Sequence, residues 1–109
     1  MVNPMRELRQ ANEILNMEPT QWPIDGTLDL HLFQPSEVGD LVPEYLNECR
    51  RRGIPKVRII HGKGTGQLRE RVHAILRRQP SVTSFGLAPS EAGGWGATVV
   101  EIMSIEKTH

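Results

Sequence analysis

The 109-residue chain has little cysteine, few aromatic residues and no long apolar run. Cys49 is its one cysteine, which excludes an intrachain disulfide and a zinc site built from cysteines. No segment has the length and apolarity of a membrane span, and the N-terminus lacks the apolar core of a signal peptide. We therefore expect a cytoplasmic protein without membrane contact, long enough to bury a core in one domain.

The chain also has no formal net charge, because 13 basic residues balance 13 acidic ones. The charges are segregated, however, since ten basic residues and a single acidic one lie within residues 50–78. This basic segment predicts one basic face that could meet a polyanion such as nucleic acid. Alternatively, its arginines merely close two helices, where cations interact favourably with the helix dipole.

Apolar periodicity predicts two helices and four strands. One helix opens at Pro35 and Ser36 and ends near Arg52, with a kink or a late start at Pro43. The second helix begins at Thr65 or Gly66 and ends at Arg78. The predicted strands are Thr27–His31, Lys56–His61, Val82–Leu87 and Ala97–Ile105. Residues 1–23 are predicted to be an arm or linker, pinned by Trp22 and Ile24 onto a domain spanning residues 24–109.

The order β-α-β-α-β-β predicts an α/β fold, a two-layer sandwich with a mixed four-stranded sheet. The first two strands should be parallel through a right-handed crossover, and the last two should be antiparallel neighbours. Ligands of such sheets bind beyond the carboxyl ends of parallel strands. His31 and His61 stand at those two ends.

A glycine-rich loop, His61–Gly66, lies between a strand and a helix. Its backbone N–H groups, Lys63 and the helix N-terminus could bind a phosphate. The spacing matches neither a P-loop nor a dinucleotide fingerprint. A tight turn would explain the glycines without any ligand.

Asp29 and His31 are two residues apart on a predicted strand, so their side chains should share a face. The carboxylate would fix the imidazole tautomer, and His61 would add a second imidazole. Such a trio could move protons during phosphodiester cleavage, with Lys63 stabilising charge on the phosphoryl oxygens. The same trio could form a metal site of two histidines and one carboxylate, or each histidine could be an ordinary surface or core residue.

A second unusual loop, Gly93–Thr98, carries a tryptophan between glycines. These glycines predict an exposed ring at Trp95 that could stack on a base. A ring that caps the core over a hairpin is the alternative.

Together, the segments 28–31, 61–66 and 93–98 resemble the Smr (small MutS-related) domain family, over residues 24–103. The resemblance implies a fold similar to the C-terminal domain of a bacterial translation initiation factor. It also implies nucleic-acid binding and, in several members, nicking or endoribonuclease activity. The family's Asp-x-His motif falls on Asp29 and His31, and its His-Gly-x-Gly motif falls on His61, Gly62 and Gly64. Many members have glycine where this chain has Leu32. We expect a stand-alone, bacterial-type member without a MutS-like ATPase, so the family name does not imply a role in mismatch repair.

The leading hypothesis is an endonuclease that cuts DNA or RNA, with Asp29, His31 and His61 as catalytic residues. Nine further residues are predicted to bind phosphate or nucleic acid: Arg58, Gly62, Lys63, Gly64, Thr65, Gly66, Gly94, Trp95 and Gly96. A binding module for nucleic acid or the ribosome is the alternative, followed by an enzyme of small phosphorylated molecules. We expect a monomer and assign no metal ligands. A divalent metal such as Mg²⁺ is the one possible cofactor, because it could assist the attack of water on DNA.

Overall fold

Two α-helices pack on one face of a four-stranded sheet in the computed structural model, which describes residues 17–18, 22–92 and 94–103. The strands lie in the order β1-β2-β4-β3. β1 and β2 are parallel, whereas β4 runs antiparallel to both β2 and β3. The predicted two-layer α/β sandwich with a mixed sheet is thereby confirmed. The elements are β1 (Thr27–Asp29), α1 (Val38–Arg51), β2 (Lys56–Ile60), α2 (Gln67–Arg77), β3 (Val82–Leu87) and β4 (Ala97–Ile102).

Helix α1 follows from apolar residues at helical spacing that face the sheet. A 3₁₀ turn at Pro35–Glu37 leads into it, and the Glu37 carboxylate accepts the Gln34 N–H at 2.7 Å. Pro43 lies inside the continuous helix, so a start near residue 43 is wrong. The buried residues of α1 are Val38, Leu41, Val42, Tyr45, Leu46, Glu48 and Cys49.

Cys49 and Trp22 both belong to the hydrophobic core. Cys49 is fully buried, and burial raises the pKa of its thiol to about 12, which makes it an unreactive apolar side chain. Trp22 is buried in the same core, and Ile24 packs against it. The prediction that these two residues pin the linker is confirmed, whereas residues 1–16 and 19–21 of the predicted arm lie outside the described residues.

Three arginines of the basic segment hold the chain together at the end of α1. Arg51 and Arg52 pair with the buried carboxylate of Glu48. Arg52 also donates to the Trp22 carbonyl, and Arg50 donates to the Met103 carbonyl, both at 2.9 Å. This end of α1 leads into the start of β2, about 17 Å along the strand from the glycine-rich loop. The fold therefore spreads the basic residues of 50–78 from this end of the sheet to the glycine-rich loop, and it engages Arg50, Arg51 and Arg52 within the protein.

The first strand is shorter than predicted. β1 ends at Asp29, and Leu30–Leu32 form a 3₁₀ turn. The cause is local, because the Asp29 carboxylate accepts the His31 backbone N–H at 3.0 Å and so favours a turn over an extended chain. β2 ends at Ile60, one residue early, and β4 ends at Ile102; residues 104 and 105 of the predicted last strand lie outside the described part. No helix among the described residues is both long and apolar enough to cross a membrane.

Candidate active site

Asp29 and His31 form a hydrogen-bonded pair at the carboxyl end of β1. The His31 Nδ1 atom lies 2.9 Å from Asp29 Oδ1, the same oxygen that accepts the His31 backbone N–H. The predicted contact is therefore present, although a turn creates it rather than strand alternation. Because a carboxylate only accepts, Nδ1 carries the proton and Nε2 is left with a free lone pair.

The His31 ring lies over Gly62 while most of it remains open to solvent. The His31 side chain is 63% exposed, against 12% for that of Asp29. A Cβ atom added to Gly62 would lie 3.0 Å from His31 Nε2, and Gly62 has φ +84°. Only glycine combines this backbone conformation with such a close approach. The exposed Nε2 thus stands directly beside the glycine-rich loop.

The glycine-rich loop is anchored to the turn that precedes β4. The Gly96 carbonyl accepts the N–H groups of His61 and Gly62, at 3.0 and 2.8 Å. The Gly62 N–H is thereby committed within the protein and does not point to a ligand. Within the described chain, the N–H groups of residues 63–66 donate to no backbone carbonyl, so they are candidate donors to an anion.

His61 is buried, and both of its ring nitrogens are bonded inside the protein. Nδ1 lies 3.0 Å from the Gly62 carbonyl oxygen, and Nε2 lies 2.8 Å from Thr98 Oγ1. The same Oγ1 lies 2.8 Å from His73 Nε2. Since a carbonyl only accepts, His61 Nδ1 is the donor, the Thr98 hydroxyl donates to His61 Nε2, and His73 Nε2 donates to Thr98. Burial lowers the pKa of both imidazoles below 6.5, which favours these neutral forms.

Replacing Thr98 with valine is expected to lower the free energy of unfolding by about 1–3 kcal/mol. The swap preserves shape but leaves two imidazole nitrogens without their shared partner, and Thr98 is completely buried. Urea unfolding followed by circular dichroism measures the change. Thr27→Val on β1 is the matched control, because the Thr27 hydroxyl bonds to no described residue, and it should stay within about 0.5 kcal/mol of wild type. Equal stability of the two variants would contradict the hydrogen-bonded chain.

A surface pocket of about 340 Å³ lies on the α2 side of the glycine-rich loop. Pro35 and His61 line it, together with the arginines at the third and fifth positions of α2, Arg69 and Arg71. The Arg69 guanidinium lies over Gly66, which caps α2 with φ +90°, and the Thr65 hydroxyl accepts the Gln67 N–H at 3.3 Å. A helix N-terminus flanked by two arginines is a favourable site for a phosphate group.

Trp95 does not line this pocket and lies in a 3₁₀ turn at Gly94–Gly96. Its side chain is among the exposed large hydrophobic groups, at 62%. The Lys63 Nζ atom lies 5.9 Å from the centre of its ring, within cation–π range. The interpretation of Trp95 as a cap on the core is therefore wrong, whereas an exposed ring is observed.

The structure gathers most of the predicted site residues but leaves Arg58 apart. Arg58 lies in the middle of β2, on the face opposite to the core residues Val57 and Ile59. It is three residues, or about 10 Å, from His61. No group of three or more histidine, cysteine, aspartate or glutamate side chains could hold a metal ion in the described part of the chain. The alternative of a metal site made by Asp29, His31 and His61 is thus not supported, and we derive no step through a metal.

Sequence reasoning did not assign a role to Arg69, Arg71, His73 or Thr98. The two arginines closely follow the glycine-rich loop and belong to the basic segment. Their position after a possible phosphate-binding turn could have indicated a role in binding phosphate. Thr98 closes the glycine–tryptophan segment, but its contacts to His61 and His73 span 37 and 25 residues. No local pattern reports pairs so distant in the chain.

Comparisons with known proteins agree with this geometry. The family model described as "Smr domain" matches residues 28–103. Endonuclease MutS2 of Thermomicrobium roseum is 46% identical over 77 residues, which is 71% of this chain and 10% of that protein. Endonuclease MutS2 of Clostridium novyi is 40% identical over 97 residues, 89% of this chain and 12% of that protein. The chain therefore spans about a tenth of the length of these relatives.

Two solved structures share the fold. The Smr domain of Thermus thermophilus MutS2 superposes with a TM-score of 0.67 at 39% identity, covering 72% of this chain and 99% of that one. YdaL, a stand-alone small MutS-related protein from Escherichia coli, gives a TM-score of 0.62 at 25% identity, covering 89% of this chain and 79% of that one. Because the family model covers well over half of the residues, this chain belongs to the Smr domain family.

Proposed function

We propose that this Smr domain binds nucleic acid and cuts its phosphodiester backbone endonucleolytically. The observation that carries the proposal is the Asp29–His31 pair, whose unprotonated Nε2 lies over Gly62 at the edge of an anion-binding loop. A base beside a phosphate site is the minimum that phosphodiester cleavage requires.

His31 would act as the general base in this proposal. On RNA, Nε2 would take the proton of a 2′-hydroxyl, whose oxygen attacks the neighbouring phosphorus while the bond to the 5′-oxygen breaks. The leaving 5′-oxygen would take a proton from water, so the 3′ fragment would begin with a 5′-hydroxyl and the 5′ fragment would end in a 2′,3′-cyclic phosphate. Asp29 would hold the ring in the tautomer that accepts a proton and stabilise the imidazolium that forms. On DNA, which lacks that hydroxyl, water would be the nucleophile.

Positive groups around the loop would stabilise the charge that develops on the phosphoryl oxygens. The candidates are the N–H groups of residues 63–66, the Lys63 ammonium, and the two arginines of the pocket. Gly62 lines the same pocket, so a phosphate beside His31 would be within the field of several cations. Electrostatic attraction of this kind also makes affinity fall with added salt.

Relationship to MutS2 proteins supports the same reaction. Those relatives are named endonucleases, and the matched segment is the Smr part of the Thermus thermophilus protein. The present chain covers about a tenth of such a protein, so its own activity and its DNA or RNA preference are part of the proposal.

A second candidate function, binding without cleavage, is favoured by one observation. His61 is only 5% exposed and has both ring nitrogens engaged. The His61 imidazole is thus not free to act as the second proton carrier that the sequence predicted. A domain that docks onto structured RNA or a ribosome through its loop and arginines would need no such group.

Incubation of the pure chain with end-labelled DNA and RNA separates the two candidates. The panel holds single strands, hairpins, branched junctions and duplexes, each with Mg²⁺ and with a chelator in parallel. We expect shorter products from at least one substrate. Tight, salt-sensitive binding without any product in either condition would instead establish the binding module.

A further inference from the structure

Trp95 is an aromatic side chain that the fold leaves in water beside the candidate active site. Its side chain is 62% exposed, while the other tryptophan, Trp22, is buried at 4%. An indole gains stability from burial, and the tight turn Gly94–Gly96 presents this ring outward instead. An exposed ring in a fixed place favours a role in contact with a ligand.

The turn that carries Trp95 is bonded to the same backbone that supports His31. The Gly96 carbonyl holds the N–H groups of His61 and Gly62, and a Cβ atom on Gly96 would lie 3.2 Å from Lys63 Cγ. His31 Nε2 also lies against Gly62. The proposed base and the turn that carries Trp95 therefore contact the same glycine residue.

Lys63 supplies the second half of a nucleotide site. Its ammonium lies 5.9 Å from the centre of the Trp95 ring, so it orients the ring and places a positive charge next to it. A flat base stacks on an aromatic ring, and the phosphate attached to it pairs with a cation. In a nucleotide, one sugar separates the base from the phosphate. The neighbouring side chains of Trp95 and Lys63 match this arrangement.

We propose that Trp95 stacks on the base of an unpaired nucleotide adjacent to the scissile phosphate and that Lys63 pairs with a phosphate of the same nucleotide. Inside a duplex, both faces of a base are covered by its neighbours, so stacking on Trp95 requires a base outside the helical stack. The preferred substrate is then single-stranded, or locally unpaired next to the cut. The adjacency to the cut rests on the proposed endonuclease function, whereas stacking on Trp95 does not.

Fluorescence of Trp95 tests the stacking directly. The full chain carries Trp22→Phe, which leaves Trp95 as its one tryptophan, and His31→Ala, which keeps the probe intact. A 12-nucleotide oligouridylate or oligothymidylate is added, and a blunt-ended duplex of 12 base pairs serves as the comparison. We expect quenching of the indole emission by the single strand and at least fivefold weaker binding of the duplex.

Substitutions of Trp95 in the His31→Ala chain make the test quantitative. Loss of one stacked base corresponds to about fivefold to hundredfold in affinity, so Trp95→Ala should weaken single-strand binding at least fivefold. Trp95→Phe, which keeps a ring, should stay within about threefold of the parent. Leu87→Ala is the matched control, because Leu87 is an exposed hydrophobic residue at 48% on β3, and it should bind like the parent.

Two results would overturn the inference. One is unchanged Trp95 emission when the single strand saturates the protein. The other is equal affinity of Trp95→Ala and Leu87→Ala for the single strand. Cleavage that proceeds normally in Trp95→Ala would refute the base site and leave the endonuclease standing. Quenching without any cleavage by the wild-type chain would keep the base site and refute the endonuclease.

Discussion

The His31→Ala variant is expected to cleave its nucleic-acid substrate about 10²–10⁴-fold more slowly than the wild-type chain, the range of a positioned general base. The alanine removes the Nε2 lone pair that lies over Gly62 and leaves the loop and its cations in place. Initial rates on the best substrate of the DNA and RNA panel measure the loss. Binding of the same substrate should change less than about threefold, because the loop and its cations contribute the contacts to phosphate.

Folding of this variant is not expected to suffer, since the His31 side chain is 63% exposed. Ser36→Ala is the matched control, because Ser36 is an exposed residue of the same connection and lines a different pocket, with Trp22 and Glu44. It should cleave at the wild-type rate. A His31→Ala protein that is as fast as Ser36→Ala would remove His31 from the mechanism and with it the proposed reaction.

Substitutions of Asp29 should separate the orientation of His31 from its charge stabilisation. One oxygen, Oδ1, accepts both the His31 backbone N–H and the ring Nδ1–H. Asp29→Asn can keep an oxygen in that position, so it removes the charge and preserves the tautomer. Asp29→Ala removes the acceptor altogether. We expect a loss in rate of about tenfold for the asparagine and about a hundredfold for the alanine, as for other partners that orient a functional histidine.

The same two variants predict a graded loss of stability. The Asp29 carboxylate closes the turn at Leu30–Leu32, so its removal should cost about 0.5–2 kcal/mol, as the loss of a helix cap does. Thermal unfolding of both proteins measures this cost, and nucleic-acid binding shows whether the loop is intact. Equal rates for Asp29→Asn and Asp29→Ala at equal affinity would contradict an orienting role for Oδ1.

The arginines of the basic segment have different surroundings in the folded chain. Arg50, Arg51 and Arg52 bind a buried carboxylate and backbone carbonyls near the chain ends, whereas Arg69 and Arg71 line the pocket next to the loop. Positive charge beside the loop is thus carried by Arg69 and Arg71, of which Arg69 also lies 3.7 Å from the Glu70 carboxylate. A net charge counted along the sequence does not distinguish cations that have an internal partner from those that have none.

The amino-acid sequence by itself determined the elements, their order and the family. Val38, Leu41, Val42 and Tyr45 recur at helical spacing, and β3 begins and ends where the apolar pattern predicts, at Val82 and Leu87. These features are local, because one buried face repeats every 3.6 or every 2 residues. The glycine-rich loop and the Asp-x-His pair are local as well, so short motifs sufficed to indicate a phosphate-type site.

The tertiary structure alone decided which of those residues face a ligand. It placed the His31 ring over Gly62, and it joined His61 and His73 through the Thr98 hydroxyl inside the protein. It also tied Trp95 to the loop through the Gly96 carbonyl. The physical reason is that hydrogen bonds and burial across 25 to 37 residues depend on how strands and helices pack, and no periodicity in the sequence encodes those distances.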